Sequence, residues 1–339
     1  MARPAEIRNR AVTKSESYIR SRIWTLEDAT IQELGQLYLD TYRKLSNQLN
    51  NVWARYGTGE NWSATDLQYR NRTETLMDQI VREIEMLTDN ATALTFDQAV
   101  RGYRGGYYGR AWVVEQGYRT DINMPMLPTE AVRAAILHPY EGNTFVDRFK
   151  DARDEFTRNV RRSIVSSQIE GDTIYQAQKR IADSLGINIS RKTAQDKSAN
   201  RGMFARTEMI ARTEILRSSN RGAMAIYEAN EDILEGYVSS LTLDERTCLV
   251  CVKINDNDHV YEFGERSLPP YHPNCRCSPT PELKNKSLQD KIAGRQKTYE
   301  EWARENHIGM NDGRVMDAPA SKPPKSNSEQ ARINAPRLF

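Results

Sequence analysis

The sequence predicts a mainly α protein with a small α+β module towards its C-terminal end: a helical N-terminal domain followed by a zinc-knuckle-like β unit. Three observations carry this. Apolar residues recur at steps of three and four along much of residues 26–228, the repeat of one buried helix face. After Gly236 the repeat changes to partial alternation, first in Tyr237–Leu243 and again in His259–Phe263, as a half-buried strand requires. All four cysteines then fall between Cys248 and Cys277, gathered around His272.

In chain order, residues 1–25 carry Arg3, Arg8, Arg10, Lys14, Arg20 and Arg22 among few apolar residues, and predict a basic arm that gains order on a partner. A helical domain is expected over 26–119. Ile31, Leu34, Tyr38, Tyr42 (or Thr41), Leu45, Leu49 and Val52 mark one long helix that ends near Gly57 and Gly59. Ser63 or Thr65 can cap a second helix, with Leu67, Leu76, Ile80, Ile84 and Leu87 on its buried side, so the two read as an antiparallel hairpin. A third helical segment, Phe96–Gly117, interleaves arginines, tyrosines and glycines. Arg101, Tyr103, Arg104, Tyr107, Tyr108 and Arg110 have the chemistry to stack on bases and neutralise phosphates. Glycines at 102, 105, 106 and 109 each cost about 1 kcal/mol of helix propensity, so close helix packing is the preferred reading of this run.

Residues 120–128, with two prolines and no periodicity, read as a linker to a second domain over 129–282. That domain opens with a short helix, Ala131–His138. A longer one follows, Asn143–Glu170, with Phe145, Phe149, Phe156, Val160 and Ile164 on one side; after the Gly171-Asp172 turn comes Ile174–Leu185. The helix expected over Gly202–Tyr227 projects Met209, Leu216, Ala223 and Tyr227 to one side, with Asn220 among them and Arg212 at the edge. A polar group on an apolar stripe needs a partner, so Arg212 and Asn220 are expected to fix this helix against the cysteine module. Glu214 points elsewhere, and so does the Arg206-Thr207-Glu208 run that repeats the Arg212-Thr213-Glu214 pattern. Asp256 and Asp258 lack calcium-loop spacing and read as a hairpin turn. Residues 283–306 predict one more polar helix, with Leu288, Ile292, Tyr299 and Trp302; the Pro-, Ser- and Asn-rich stretch 307–339 predicts a disordered or partner-ordered tail.

The cysteine stretch carries the clearest chemistry. Cys248-x-x-Cys251 lets two thiolates converge on one ion, and Cys275-x-Cys277 with His272 offers three further donors, one more than a tetrahedral shell needs. The expected ligands are Cys248, Cys251 and two of His272, Cys275 and Cys277. Disulfides and free thiols are the competing states. A catalytic zinc would call for an HExxH or a comparable Glu and His pair beside the cluster; the sequence there has none, so a closed structural zinc site is predicted.

At these residues the chain resembles a known family. Asp244, Arg246, Thr247, Cys248, Cys251, Pro269, Pro270, His272, Pro273, Asn274, Cys275, Arg276 and Cys277, preceded by Ala211-Arg212-Thr213-Glu214 with Asn220, are similar to the C-terminal module of phage head morphogenesis proteins of the phage Mu minor head protein F-like type. The resemblance covers roughly residues 145–282. It implies a polar structural set of Arg212, Glu214, Asn220, Asp244 and Arg246. It further implies a minor head protein of a tailed bacteriophage that meets the portal or the major capsid protein, resides in the virion and catalyses no reaction. The rival expectations are a nucleic-acid-binding virion protein that accompanies packaged DNA and a zinc-dependent enzyme.

Composition sets outer bounds. A net charge of +2 gives no global basic field for nucleic acid, leaving only local patches. No stretch approaches the ~20 apolar residues of a membrane span, and the polar, basic start is unlike a secretory signal, so no membrane partner is expected and a reducing cytoplasm is the expected site of synthesis.

Overall fold

The computed structural model describes residues 10–56, 70–187, 202–241, 247–254, 259–265, 268–285 and 288–308. Among them are eight helices, α1 (Arg10–Tyr56), α2 (Arg70–Tyr118), α3 (Thr129–Leu137), α4 (Phe145–Glu170), α5 (Ile174–Leu185), α6 (Met203–Glu228), α7 (Leu249–Ile254) and α8 (Tyr299–Glu305). A small sheet comprises β1 (Leu234–Ser240), β2 (Val260–Tyr261) and β3 (Ser278–Leu283). The fold is thus mainly helical, with a three-stranded sheet late in the chain.

Two compact units are present, and each draws on separated stretches of chain where the sequence suggested consecutive blocks. The described residues of the first fall within Met1–Ala29, Thr95–His138 and Ala211–Pro324; those of the second fall within Thr30–Leu94 and Pro139–Ile210.

In the first unit, α1 and α2 run antiparallel: Gly117 lies against Val12, Arg110 against Glu16 and Gly109 against Ile19. The core joins Val12, Ile19, Ile23 and Leu26 of α1 to Tyr107, Trp112 and Tyr118 of α2, Ile215, Leu216, Ala223 and Tyr227 of α6, and Tyr299 and Trp302 of α8. This corrects the basic-arm expectation for residues 10–25. They form the first turns of α1 because Val12, Ile19 and Ile23 supply a buried stripe that the charge count obscured.

The glycine run of α2 has a steric cause. A Cβ on Gly106 would stand 1.9 Å from Ser219 O, and one on Gly222 would stand 2.0 Å from Tyr103 O. The backbones of α2 and α6 therefore touch at glycine from both sides, an approach no other residue allows.

The sheet has the order β2-β1-β3, antiparallel throughout. The alternation expected over Tyr237–Leu243 starts earlier, at Leu234, and that over His259–Phe263 contracts to Val260–Tyr261. Strand β3, Ser278-Pro-Thr-Pro-Glu-Leu283, was not anticipated because its prolines argue against a strand. Its position at the sheet edge resolves this: Pro279 and Pro281 face away from β1, so no ladder donor is lost, and their carbonyls accept hydrogen bonds from Tyr227 and Tyr118 at 3.3 and 2.7 Å. The expected helix 283–306 is corrected too, since among its described residues the α-helix is confined to Tyr299–Glu305, started by a Thr298–Glu301 capping box. Stretch 120–128 has no regular structure, but Ile122, Met124 and Leu127 pack on the core.

In the second unit, Ile31, Leu34, Tyr38, Leu45 and Leu49 of α1 and Leu76, Ile80, Ile84 and Leu87 of α2 are buried as their periodicity predicted. Helix α2 continues unbroken through Thr88 and Thr92, whose hydroxyls donate to the carbonyls of Ile84 and Thr88, so the second and third expected helices are one. Helices α4 and α5 begin at capping boxes on Thr144 and Thr173 and end at left-handed Gly171 and Gly186. Tyr38 OH meets Thr207 Oγ1 at 2.6 Å, giving the repeated Arg206-Thr207 run a packing role. The expected turns and caps at Gly57, Gly59, Ser63, Thr65 and Asn255–Asp258, and the tail from residue 309, lie outside the described residues.

Candidate metal centre

Cys248 and Cys251 sit at the start of α7, between β1 and β2. The Cys251 N–H donates to Cys248 Sγ at 3.3 Å, so the first turn brings both sulfurs together. His272, Cys275 and Cys277 come from the loop that leads into β3. His272 Nε2 lies 3.1 Å from Cys248 Sγ and 3.0 Å from Cys251 Sγ, and Cys251 Sγ lies 3.7 Å from Cys275 Sγ. The five predicted donors thus converge as two triads that share Cys251: Cys248, Cys251 and His272, then Cys251, Cys275 and Cys277.

The donor set suits a metal ion. His272 Nδ1 stands 2.7 Å from the carbonyl of Pro273, which can only accept, so Nδ1 carries the proton and Nε2 presents its lone pair between two sulfurs. Zinc–sulfur bonds of about 2.3 Å in a tetrahedron put sulfurs about 3.8 Å apart, close to the Cys251–Cys275 separation. The Cys251 N–H also lowers the Cys248 thiol pKa. Hydrogen bonding from Cys277 brings Cys275 down to about 5 and in turn raises Cys277, which burial raises further; burial pushes Cys251 up to about 12. Cys251, Cys275 and Cys277 are buried and Cys248 is half-buried.

Helix α6 shapes the loop. Asn220, fully buried, donates from Nδ2 to the carbonyls of Pro269 and Cys277, both at 3.0 Å, and so ties together the two ends of the segment that bears His272, Cys275 and Cys277. Asn274 adopts the left-handed conformation (φ 58°), and its N–H donates to Thr213 Oγ1 at 3.1 Å. Tyr271 OH adds a bond to Ser239 Oγ of β1 at 3.1 Å. The expectation that Asn220 holds this helix to the cysteine module matches this geometry. Thr213 was missed, although it lies within the Ala211–Glu214 motif.

The other predicted residues separate. Arg212 donates to Asp28 Oδ1 at 3.0 Å and lies 3.6 Å from Glu27 of α1. Burial raises the Glu27 pKa to about 8 against the opposing pull of Arg212. Glu214 is fully buried and paired with Arg217 at 3.0 Å, while Arg217 also donates to the His138 carbonyl at 2.6 Å at the end of α3. Asp244 and Arg246 lie outside the described residues.

The nucleic-acid set is corrected in part: Tyr103, Tyr107 and Arg110 are buried, so they cannot stack on bases or reach phosphates. Arg110 instead faces Glu16, also buried, at 3.3 Å, and Glu16 accepts from Tyr227 OH at 3.1 Å. Arg101 is exposed beside Asp97, whereas Arg104 and Tyr108 are half-buried. The Glu16–Arg110–Tyr227 network gave no signal in the sequence, because its members are far apart along the chain.

No helix among the described residues is long and apolar enough to cross a membrane. Neither the curated proteins nor the solved structures include a significant match to the chain. Residues 158–280, which hold α6, β1, β2, the start of β3 and the whole cysteine cluster, match the family model described as phage Mu protein F like protein, so the resemblance carried by the cysteine and Ala211–Glu214 motifs is borne out over that part of the chain.

Proposed function

We propose that this chain is a minor head protein of a tailed bacteriophage, associated with the portal and acting structurally in head assembly. The match over residues 158–280 carries the reading. The site geometry supports a scaffold role, because the motif side chains are used inside the protein: Asn220 and Thr213 hold the cysteine loop, and Glu214 is locked to Arg217.

In this reading Cys248, Cys251, His272 and Cys275 hold one structural zinc ion, and Cys277 supports Cys275 as a thiol donor. The ion closes a module whose sheet and short helix bury too little to be stable alone. The DNA-binding alternative ranks lower, since half of its six groups are buried.

Quantitative mass spectrometry of purified particles tests the assignment. The protein should be present at low copy relative to the shell protein, and particles assembled without it should be defective heads. Absence from purified particles, or normal infectious heads without it, would overturn the proposal.

A further inference from the structure

The outward face of α4 belongs to no site described above. Its inward side buries Phe145, Phe149, Phe156, Val160 and Ile164. Its outward side presents an ordered stripe at helical spacing: Asp151 and Asp154, then Arg158 and Arg161, then Val165 and Ile169. All six are exposed, the last two at 50% and 77%. Arg158 and Arg161 make no ion pair with another described residue, and Asp154 is paired only with its neighbour Arg153, at the surface.

The order of charge along this stripe selects a partner. An acidic half followed by a basic half on one straight face is complementary to itself when reversed. A second α4 laid antiparallel across the first, with a two-fold axis near Phe156, sets Arg158 against Asp154 and Arg161 against Asp151, and symmetry repeats both pairs. A DNA duplex fits less well, because two aspartates lie within a turn or two of the arginines and would face the same phosphates.

We propose that the outward face of α4 is an isologous docking surface for a second copy of this chain, held by reciprocal Arg158–Asp154 and Arg161–Asp151 pairs. The surface is independent of the metal centre and of the head-protein assignment. Exposed ion pairs make such an association weak and salt-sensitive.

Sedimentation velocity on the full chain tests this, at about 50 mM and about 500 mM salt, a range over which screening of exposed charges becomes strong. The parent should form a concentration-dependent dimer at low salt that is lost at high salt. R158E/R161E and D151R/D154R, each with unchanged circular dichroism, should both be monomeric. An equimolar mixture of the two should dimerise again, because each reversed face then meets its complement. A parent that stays monomeric, reversed variants that dimerise like the parent, or a mixture that stays monomeric would each overturn the proposal. A monomeric parent that binds duplex DNA through Arg158 and Arg161 would replace it with a nucleic-acid surface.

Discussion

Asn220 shows how one side chain can govern a site from outside it. Its amide makes two hydrogen bonds to the carbonyls of Pro269 and Cys277, and it does so fully buried, where no water can replace it. Asn220→Ala leaves both carbonyls without a donor and should cost about 1–3 kcal/mol, read as a lower denaturant midpoint. Asn220→Asp should be at least as damaging, since a carboxylate accepts only and would face two carbonyl oxygens. Equal stability of Asn220→Asp and the parent would refute this account. The Glu214–Arg217 pair belongs to the same scale: removing one partner strands a buried charge, so the family motif carries structure here through a charge that must remain paired.

Among the elements, the crossing of α2 and α6 is the most constrained. Gly106 and Gly222 each bring one helix's backbone against the other's. Gly106→Ala should therefore lower the melting temperature sharply, despite the ~1 kcal/mol that alanine gains in helix propensity. Gly109→Ala makes the comparison, because its new Cβ would meet the Ile19 side chain at 3.0 Å, and a side chain can shift where a backbone carbonyl cannot. A smaller loss for Gly106→Ala than for Gly109→Ala would show that the helices separate easily. Strand β3 illustrates a second constraint, since its prolines are tolerated at a sheet edge where the ladder needs no N–H from them, and tyrosines from α2 and α6 donate to their carbonyls.

For the molecule as a whole, a zinc ion held by the cysteine–histidine cluster should divide stability unevenly. In the first unit, α7 and the loop before β3 are short and gather around the sulfur cluster, with Asn220, Thr213 and Ser239 bonding the loop, while Tyr261 of β2 reaches the main core and the long helices of both units have apolar stripes of their own. Protein purified under reducing conditions should hold about one zinc ion per chain, and a chelator should melt the cysteine module while most helical circular dichroism survives. Cys275→Ser should lose the ion and Cys277→Ser should retain it. Loss of zinc in both variants alike would assign Cys277 to the shell.

The sequence by itself determined the helical class, the position of most helices, the buried stripes of α1, α2 and α4, and the five residues of the cysteine–histidine cluster. These are local facts: a periodicity or a Cys-x-x-Cys spacing acts within a few turns of chain. Tertiary structure alone decided the rest. It made residues 10–25 a packed helix, placed Ser278–Leu283 in a sheet despite two prolines, and turned Tyr103, Tyr107 and Arg110 of α2 inward, each because a partner distant in the chain supplied the burial or the hydrogen bond. Likewise it joined Asn220 to Cys277 and Arg212 to Asp28, since a wheel shows which way a side chain points but not what it will meet.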